Sequence, residues 1–309
     1  MNLLSTPLAR LDRLARPLTG RPGPLRGAHV VITGASSGIG EATAYAAAAA
    51  GAHVLLVARR ADELERVAAR VREQGGRATT YPCDLTDGPA VDALAARLLD
   101  EHGHVDQLVN NAGRSIRRSL ALSGGRFHDV ERTMAINFLA PVRLTMGLLP
   151  SMRERGSGHV VNIVTWGVQL KAPKFSAYIA SKTALDAWSR VAGRETWADG
   201  VTFTSMRFGL VETAMTAPTE AYAGRGASPE QAAARVVRAM EERPVLVSTL
   251  AGNLGEVLNL LAPRLTDVLF ARADRAFADS AAARTADPAP AAAPPTAKVH
   301  RVPDEPAVT

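Results

Sequence analysis

The stretch that decides the fold runs from His29 to Gly51, HVVITGASSGIGEATAYAAAAAG. Its first five residues form an apolar run of strand type ending at Thr33. Gly34, Gly38 and Gly40 then occupy a turn, with Ser36, Ser37 and Ile39 between them, that opens onto an alanine-rich helical segment. Glycine lets a backbone approach a ligand closely and adopt dihedrals closed to other residues. The free N–H groups and positive end of the helix that follows attract an anion. Strand, glycine turn and helix in that order suit the pyrophosphate of a dinucleotide. A glycine-rich loop without a ligand is the alternative reading.

Working outward, AHVVIT, HVLLVA, RATTYPCD, VDQLVNN, GHVVNIV, GVTFTSMR and PVLVST are short strand-like runs. Segments of helical spacing, such as ADELERVAARVREQG and DGPAVDALAARLLDEHG, separate most of them. Strands alternating with helices predict a parallel sheet covered on both faces. The expected fold is α/β, a single doubly wound Rossmann domain with a seven-stranded parallel sheet, over residues 26–250. Residues 1–25 form an extension in which Leu4, Leu8, Leu11, Leu14 and Leu18 alternate with Arg10, Arg13 and Arg16. That pattern predicts a short basic amphipathic helix, suited to an anionic membrane surface or to packing on the parent domain or a sister subunit. Residues 251–279 carry Leu254, Val257, Leu258, Leu261, Leu265, Val268 and Leu269 at helical spacing around Pro263. Residues 280–309 are rich in Ala and Pro and are expected to be disordered.

Composition narrows the classes. The 309 residues are 47% hydrophobic and 21% charged, which is enough for a large core. A single cysteine, Cys83, excludes an internal disulfide framework and a Cys-rich metal site. The seven histidines lie without a HExxH pair, so no metal site is expected. A net charge of +6 is mild for a dedicated nucleic-acid binder, and no nucleic-acid partner is expected. No uninterrupted apolar run reaches the ~18–20 residues of a membrane span. The expected location is cytoplasmic, with peripheral membrane contact as the alternative.

Two further groups carry chemistry. The second strand ends Ala58-Arg59-Arg60, where an NAD-selective site has an acid facing the ribose 2′-hydroxyl and an NADP site has cations. A guanidinium can grip a 2′-phosphate in a bidentate manner, so Arg59, with Arg60 as alternate, predicts NADP(H). In YIASK, Tyr178 and Lys182 stand four apart and share a helix face. A nearby ammonium is expected to lower the phenol's pKa from its usual ~10 and to let Tyr178 act as general acid on a carbonyl.

TGASSGIG, the NNAG of residues 110–113 and YxxxK together resemble the short-chain dehydrogenases/reductases, which bear the TGxxxGxG form of the glycine turn. The resemblance implies that Asp84, beside Leu85, meets the adenine ring and that Asn111, Ala112 and Gly113 border the adenosine. It also implies a catalytic set of Asn137, Thr165, Tyr178 and Lys182. Thr165 stands where the family usually has Ser, and it keeps a hydroxyl able to polarise a carbonyl. Asn137 would hold a water linking Lys182 to solvent. The family's PGxVxT reads FGLVET here, with Phe208 in place of Pro and with Gly209, Val211 and Thr213 in register as cofactor contacts. Phe208 could pack beside the nicotinamide or fill core.

A closer similarity, from about Leu25 to Leu250, is to the reductase domain of bacterial alcohol-forming fatty acyl-CoA reductases. It implies a small-molecule carbonyl or alcohol substrate of long-chain acyl or aldehyde type. A homodimer or homotetramer is expected. Arg114, Arg117 and Arg118 would suit an anionic headgroup, or form a solvated loop. A non-catalytic NADP-binding sensor or scaffold of the same fold is the alternative function.

Overall fold

The computed structural model describes residues 23–217, 224–276, 279 and 283. The amphipathic segment before residue 23 and, residue 283 apart, the Ala/Pro-rich tail lie outside the described residues. Seven strands form one sheet: β1 (His29–Thr33), β2 (His53–Ala58), β3 (Arg77–Pro82), β4 (Gln107–Asn110), β5 (Gly158–Thr165), β6 (Val201–Phe208) and β7 (Leu246–Val247). Their order is β3-β2-β1-β4-β5-β6-β7, and every pairing is parallel. The chain therefore has the expected doubly wound fold. The order reverses between β1 and β4, which opens a crevice at the carboxyl ends of those strands.

The connecting helices are α1 (Gly38–Ala49), α2 (Ala61–Glu73), α3 (Gly88–His102), α4 (Phe127–Met134), α5 (Ala140–Glu154), α6 (Gly167–Leu170), α7 (Ser176–Glu195), α8 (Pro229–Glu242), α9 (Leu250–Leu261) and α10 (Pro263–Ala276). Local chemistry sets their ends. Asp87 caps α3 by accepting from the Ala90 N–H at 3.2 Å, and Gly103 at φ 73° ends it. Ser228 and Gln231 form a reciprocal capping box on α8, with Pro229 in its first turn. Each such cap is worth about 1 kcal/mol.

Alternation along the strands divides the core between the two faces of the sheet. Val30, Ile32, Val54 and Leu56 pack with Ala44 and Ala47 of α1, Leu64 and Val67 of α2, and Val236 of α8. Val31, Leu55, Leu108 and Val160 pack with Leu94 and Leu98 of α3 and Leu144 and Leu148 of α5. Each side chain of this size contributes roughly 1.5–3 kcal/mol when fully buried. Leu25, with no exposed surface, already belongs to the first cluster. β7 is only two residues long, although the run PVLVST suggests a longer strand.

The C-terminal helices are tied to the sheet's carboxyl edge by polar contacts. Gln169 of α6 donates through Nε2 to Asn253 Oδ1 (2.9 Å) and Glu256 Oε2 (2.8 Å) of α9. Lys174 Nζ reaches Asp274 of α10 at 2.5 Å. No helix among the described residues is long and apolar enough to cross a membrane.

His159, fully buried in β5, bonds through its ring to Thr202 Oγ1 at 2.8 Å and Thr204 Oγ1 at 3.2 Å. Burial holds its pKa down to about 3, against an unfolded value of ~6.5. Its stabilising contribution is complete above pH ~6.5 and is lost as pH falls towards 3, because the unfolded chain then binds the extra proton. A His159→Gln variant should therefore lose stability less steeply between pH 6 and 4, by about 1.4 kcal/mol per pH unit. Urea unfolding across that range checks it; parallel slopes for both proteins would refute it.

Candidate active site

The glycine turn is shaped by what surrounds it. Gly34 has φ +65°, and a Cβ there would stand 2.9 Å from Ala112 Cα. A Cβ on Gly40 would collide with the Gly34 carbonyl and with Asn111 Nδ2. Asn111 Nδ2 donates to the carbonyls of Thr33 (2.9 Å) and Gly34 (3.2 Å). Thr33 Oγ1 accepts from the backbone N–H of Asn111 (2.9 Å) and of Ala112 (3.0 Å). The segment after β4 is thus cross-linked to the turn after β1. Ser37, extended at φ −165°, is the N-cap of α1 but gives no side-chain cap, which leaves donors at this terminus for an anion. Arg66, a residue passed over in the sequence, braces the turn by pairing with Glu41 at 2.7 Å and reaching the Ser36 carbonyl at 3.3 Å.

Those features fit a dinucleotide: a cradle that a Cβ would fill, beside a helix N-terminus with unused donors. Arg59 and Arg60 follow β2 and are exposed, and neither forms an ion pair among the described residues. Asp84 Oδ1 accepts from the Thr86 N–H (2.9 Å) and hydroxyl (2.8 Å). These bonds, helped by the charge of Arg59, hold its carboxyl below the usual carboxylate range. Asp84 does not cap α3; Asp87 does. Leu85 is buried in the core beside it.

Thr165 ends β5, and Tyr178 and Lys182 lie one turn apart on α7. Thr165 Oγ1 accepts from the Gly167 N–H at 3.1 Å, and its hydroxyl favours the ionised form of the Tyr178 phenol. Asn137 lies in a π-helical turn, Ala135–Leu139, between α4 and α5. The wider turn carries Asn137 inward with no exposed surface. Its Oδ1 accepts from the Arg114 N–H (2.8 Å), and its Nδ2 donates to the Arg114 carbonyl (2.8 Å) and Ser181 Oγ (3.0 Å). A Cβ on Gly113 would lie 2.9 Å from Asn137 Oδ1 and 3.3 Å from Lys182 Nζ. The structure therefore brings Asn137, Thr165, Tyr178 and Lys182 to one edge of the sheet.

The charge logic differs from the expectation. Burial pushes the Tyr178 phenol up to about 12, opposed only by the Thr165 hydroxyl, and burial lowers Lys182 to about 8. Lys182 Nζ donates to the Ile163 carbonyl at 2.8 Å. Desolvation, and not the expected acidification by Lys182, sets the direction for Tyr178, and the phenol keeps its proton at neutral pH.

The FGLVET segment closes the same edge. Phe208 lies in the core and its carbonyl accepts from the Trp166 N–H at 2.7 Å, so of the two expected roles it takes the structural one. Gly209 lies 3.8 Å from the Trp166 ring, measured to an added Cβ. Val211 pairs with Ala227, and Thr213 stands over the glycine turn, its Cγ2 3.1 Å from a Cβ placed on Gly38.

A cavity of about 530 Å³ includes Thr165 and Tyr178 in its wall. Trp166, Leu170, Phe175, Ile179, Leu210 and Met215 give it an apolar lining, and Arg114, Arg117, Arg118, Arg126 and Arg132 a basic one. Asp129 pairs with Arg118 at 2.9 Å and Arg126 at 3.0 Å. The last two arginines and Asp129 were not singled out in the sequence. They lie at α4, whose short spacing shows no motif.

A doubly wound sheet with this turn and this tyrosine at its carboxyl edge defines a dinucleotide-binding oxidoreductase. More narrowly, the chain belongs to the short-chain dehydrogenase family, whose description matches residues 28–223. It is 46% identical over 260 residues to a fatty acyl-CoA reductase of Acinetobacter baylyi, covering 84% of this chain and 88% of that one. A short-chain dehydrogenase from Streptomyces avermitilis superposes with a TM-score of 0.67 at 31% identity, over 81% of this chain and 98% of its own. A metagenomic short-chain oxidoreductase in complex with NADP gives a TM-score of 0.64 at 29% identity, over 73% of this chain and 97% of its own.

Because Gly40 abuts backbone and the anchored Asn111, a Gly40→Ala variant should lose about 1–3 kcal/mol of stability and bind its reduced nicotinamide cofactor at least tenfold more weakly. Thermal unfolding and fluorescence titration measure the two. An unchanged affinity would show that the turn does not cradle the cofactor.

Proposed function

We propose that this chain is an NADPH-dependent reductase of long-chain acyl thioesters or fatty aldehydes, working in the cytoplasm. The observation that carries the reading is the cavity. Its lining joins an apolar surface for a chain to arginines for an anionic headgroup, with Thr165 and Tyr178 in the same wall. The similarity to the Acinetobacter baylyi fatty acyl-CoA reductase supports the same substrate class.

The glycine turn and Thr213 would hold the dinucleotide, with Arg59 and Arg60 at its 2′-phosphate and Asp84 at its adenine. The dinucleotide, when bound, supplies the hydride. Tyr178, protonated at neutral pH, gives its phenolic proton to the substrate carbonyl oxygen. Thr165, whose oxygen already accepts from Gly167, directs its hydroxyl proton at the same oxygen and stabilises the charge developing there. Lys182, held by the Ile163 carbonyl, stabilises the phenolate left behind and passes it a proton. Asn137 fixes the Arg114 backbone next to Gly113, where an added Cβ would lie 3.3 Å from Lys182 Nζ. The bound water that the family resemblance assigns to Asn137 would resupply Lys182.

The apolar residues of α9 and α10, among them Leu254 at 62% and Leu261 at 76% exposure, support assembly as a homodimer or homotetramer. Pelleting with anionic liposomes would instead assign that face to a membrane.

Replacing Tyr178 by Phe should lower NADPH-dependent reduction by about 10²–10⁴-fold while leaving NADPH binding within twofold. Near-normal turnover would defeat the mechanism. Arg59→Ala should raise KM for NADPH at least tenfold and leave KM for NADH unchanged, a comparison that tests cofactor choice. A screen across fatty aldehydes, fatty acyl-CoAs, 3-oxoacyl thioesters and keto-steroids tests the substrate class; activity confined to polar sugars would sink it.

Lys182 is a cation below its pKa of about 8 and loses that charge above it. The rate of reduction at saturating NADPH should therefore hold level to neutral pH and fall above pH 8. A profile flat through pH 9.5 would remove Lys182 from the proton route.

A further inference from the structure

Four of the chain's seven histidines meet at the amino edge of the sheet, opposite the cleft. His29 and His53 open β1 and β2 and are direct partners in the register of those strands. His102 closes α3, and His104 stands in the link to β4. One ring nitrogen from each of His29, His53 and His102 lies within 4.8 Å of the other two. One donor atom each of His29, His104 and Asp106 meets within the same distance. The ring centroids of His29 lie 5.5 Å from His53 and 5.0 Å from His102, and those of His53 and His102 are 5.3 Å apart. All these side chains are half-buried.

Each ring is already oriented through one nitrogen. His29 Nδ1 bonds to the His104 carbonyl at 3.1 Å, which requires a proton on that nitrogen. Tyr81 gives its hydroxyl proton to Glu101 at 2.6 Å, so His102 Nε2, 2.6 Å from the same oxygen, is the donor there. His53 Nε2 lies 2.9 Å from Thr79 Oγ1, which can accept its proton. A neutral imidazole with one nitrogen donating presents a bare lone pair on the other. This is the arrangement in which an outer hydrogen bond sets the tautomer of a metal-binding histidine.

We propose that His29, His53 and His102 form a binding site for one divalent transition-metal ion, with Zn²⁺ the best match. Imidazole nitrogens suit Zn²⁺, and three of them leave the fourth tetrahedral position for water. The Asp106 carboxylate, paired with Arg155 at 2.9 Å, lies beside His29 and His104, and its Oδ2 accepts from the His29 backbone N–H at 2.8 Å. Zn–N bonds of about 2.0–2.1 Å put tetrahedral nitrogens about 3.4 Å apart, so the rings draw together on binding. The ion staples the starts of β1 and β2 to the end of α3. Its ligands come from residues far apart in the chain, so no local spacing marks them.

The test uses tag-free full-length protein, stripped with chelator and titrated with ZnCl₂ by calorimetry, and with CoCl₂ by visible absorption. One ion per chain and the d–d bands of tetrahedral Co²⁺ are expected. His53→Gln and His102→Gln should each weaken Zn²⁺ binding at least ~10–100-fold. The rate of NADPH-dependent reduction should be unchanged, because the ligands lie at the edge remote from the cleft. A measurement on the unaltered chain guards against misfolded variants. Zn²⁺ should protect His29, His53 and His102, and not His128, from diethyl pyrocarbonate, as read by peptide mass. Absence of stoichiometric uptake, equal affinity in correctly folded variants, or modification of the three histidines undiminished by Zn²⁺ would each overturn the proposal.

Discussion

The contact between the turn after β1 and the segment after β4 is the constraint on which the site depends. Asn111 bonds two carbonyls of that turn, while Thr33 receives two N–H groups in return. The four bonds satisfy backbone groups at the reversal of strand order. An orphaned group there would cost roughly 1–3 kcal/mol. Gly34 and Gly40 are small because this junction leaves no space for a Cβ, so the anion cradle and the stability of the sheet have one structural origin.

A second consequence concerns charge. Lys182 is nearly wholly buried, at 4% exposure, and no carboxylate causes a shift in its pKa. A carbonyl oxygen, from Ile163, is the partner of its Nζ. Burying an ammonium on a neutral partner weakens the cation and brings its pKa towards the working range. Tyr178 is driven the other way by the same burial, so both groups hold their protons at neutral pH, an arrangement suited to a proton donor with a nearby source.

The wall of the cavity is assembled from distant parts. Thr165 comes from β5, Tyr178 from α7, the arginines from the segment around α4, and Leu210 and Met215 from the loop beyond β6. Gln169, on α6 beside that wall, is held by Asn253 and Glu256 of α9, so the C-terminal helices support the cavity from behind. The histidine cluster at the far edge shares this character, since register between β1 and β2 is what sets His29 beside His53.

The amino-acid sequence by itself determined the strand–turn–helix opening, the alternation of strands and helices, and the pairing of Tyr178 with Lys182. Each of these follows from local periodicity or from backbone demands within a few residues. The resemblance of short motifs supplied Asn137 and Thr165, whose roles no spacing states. Only the tertiary structure decided that Phe208 fills core and that Arg126, Arg132 and Asp129 join the cavity. It also reversed the expected direction for Tyr178. Desolvation depends on everything packed around an atom, whereas a sequence displays only its chain neighbours; one turn of helix separates Tyr178 from Lys182, but the surrounding core sets what each does with its proton.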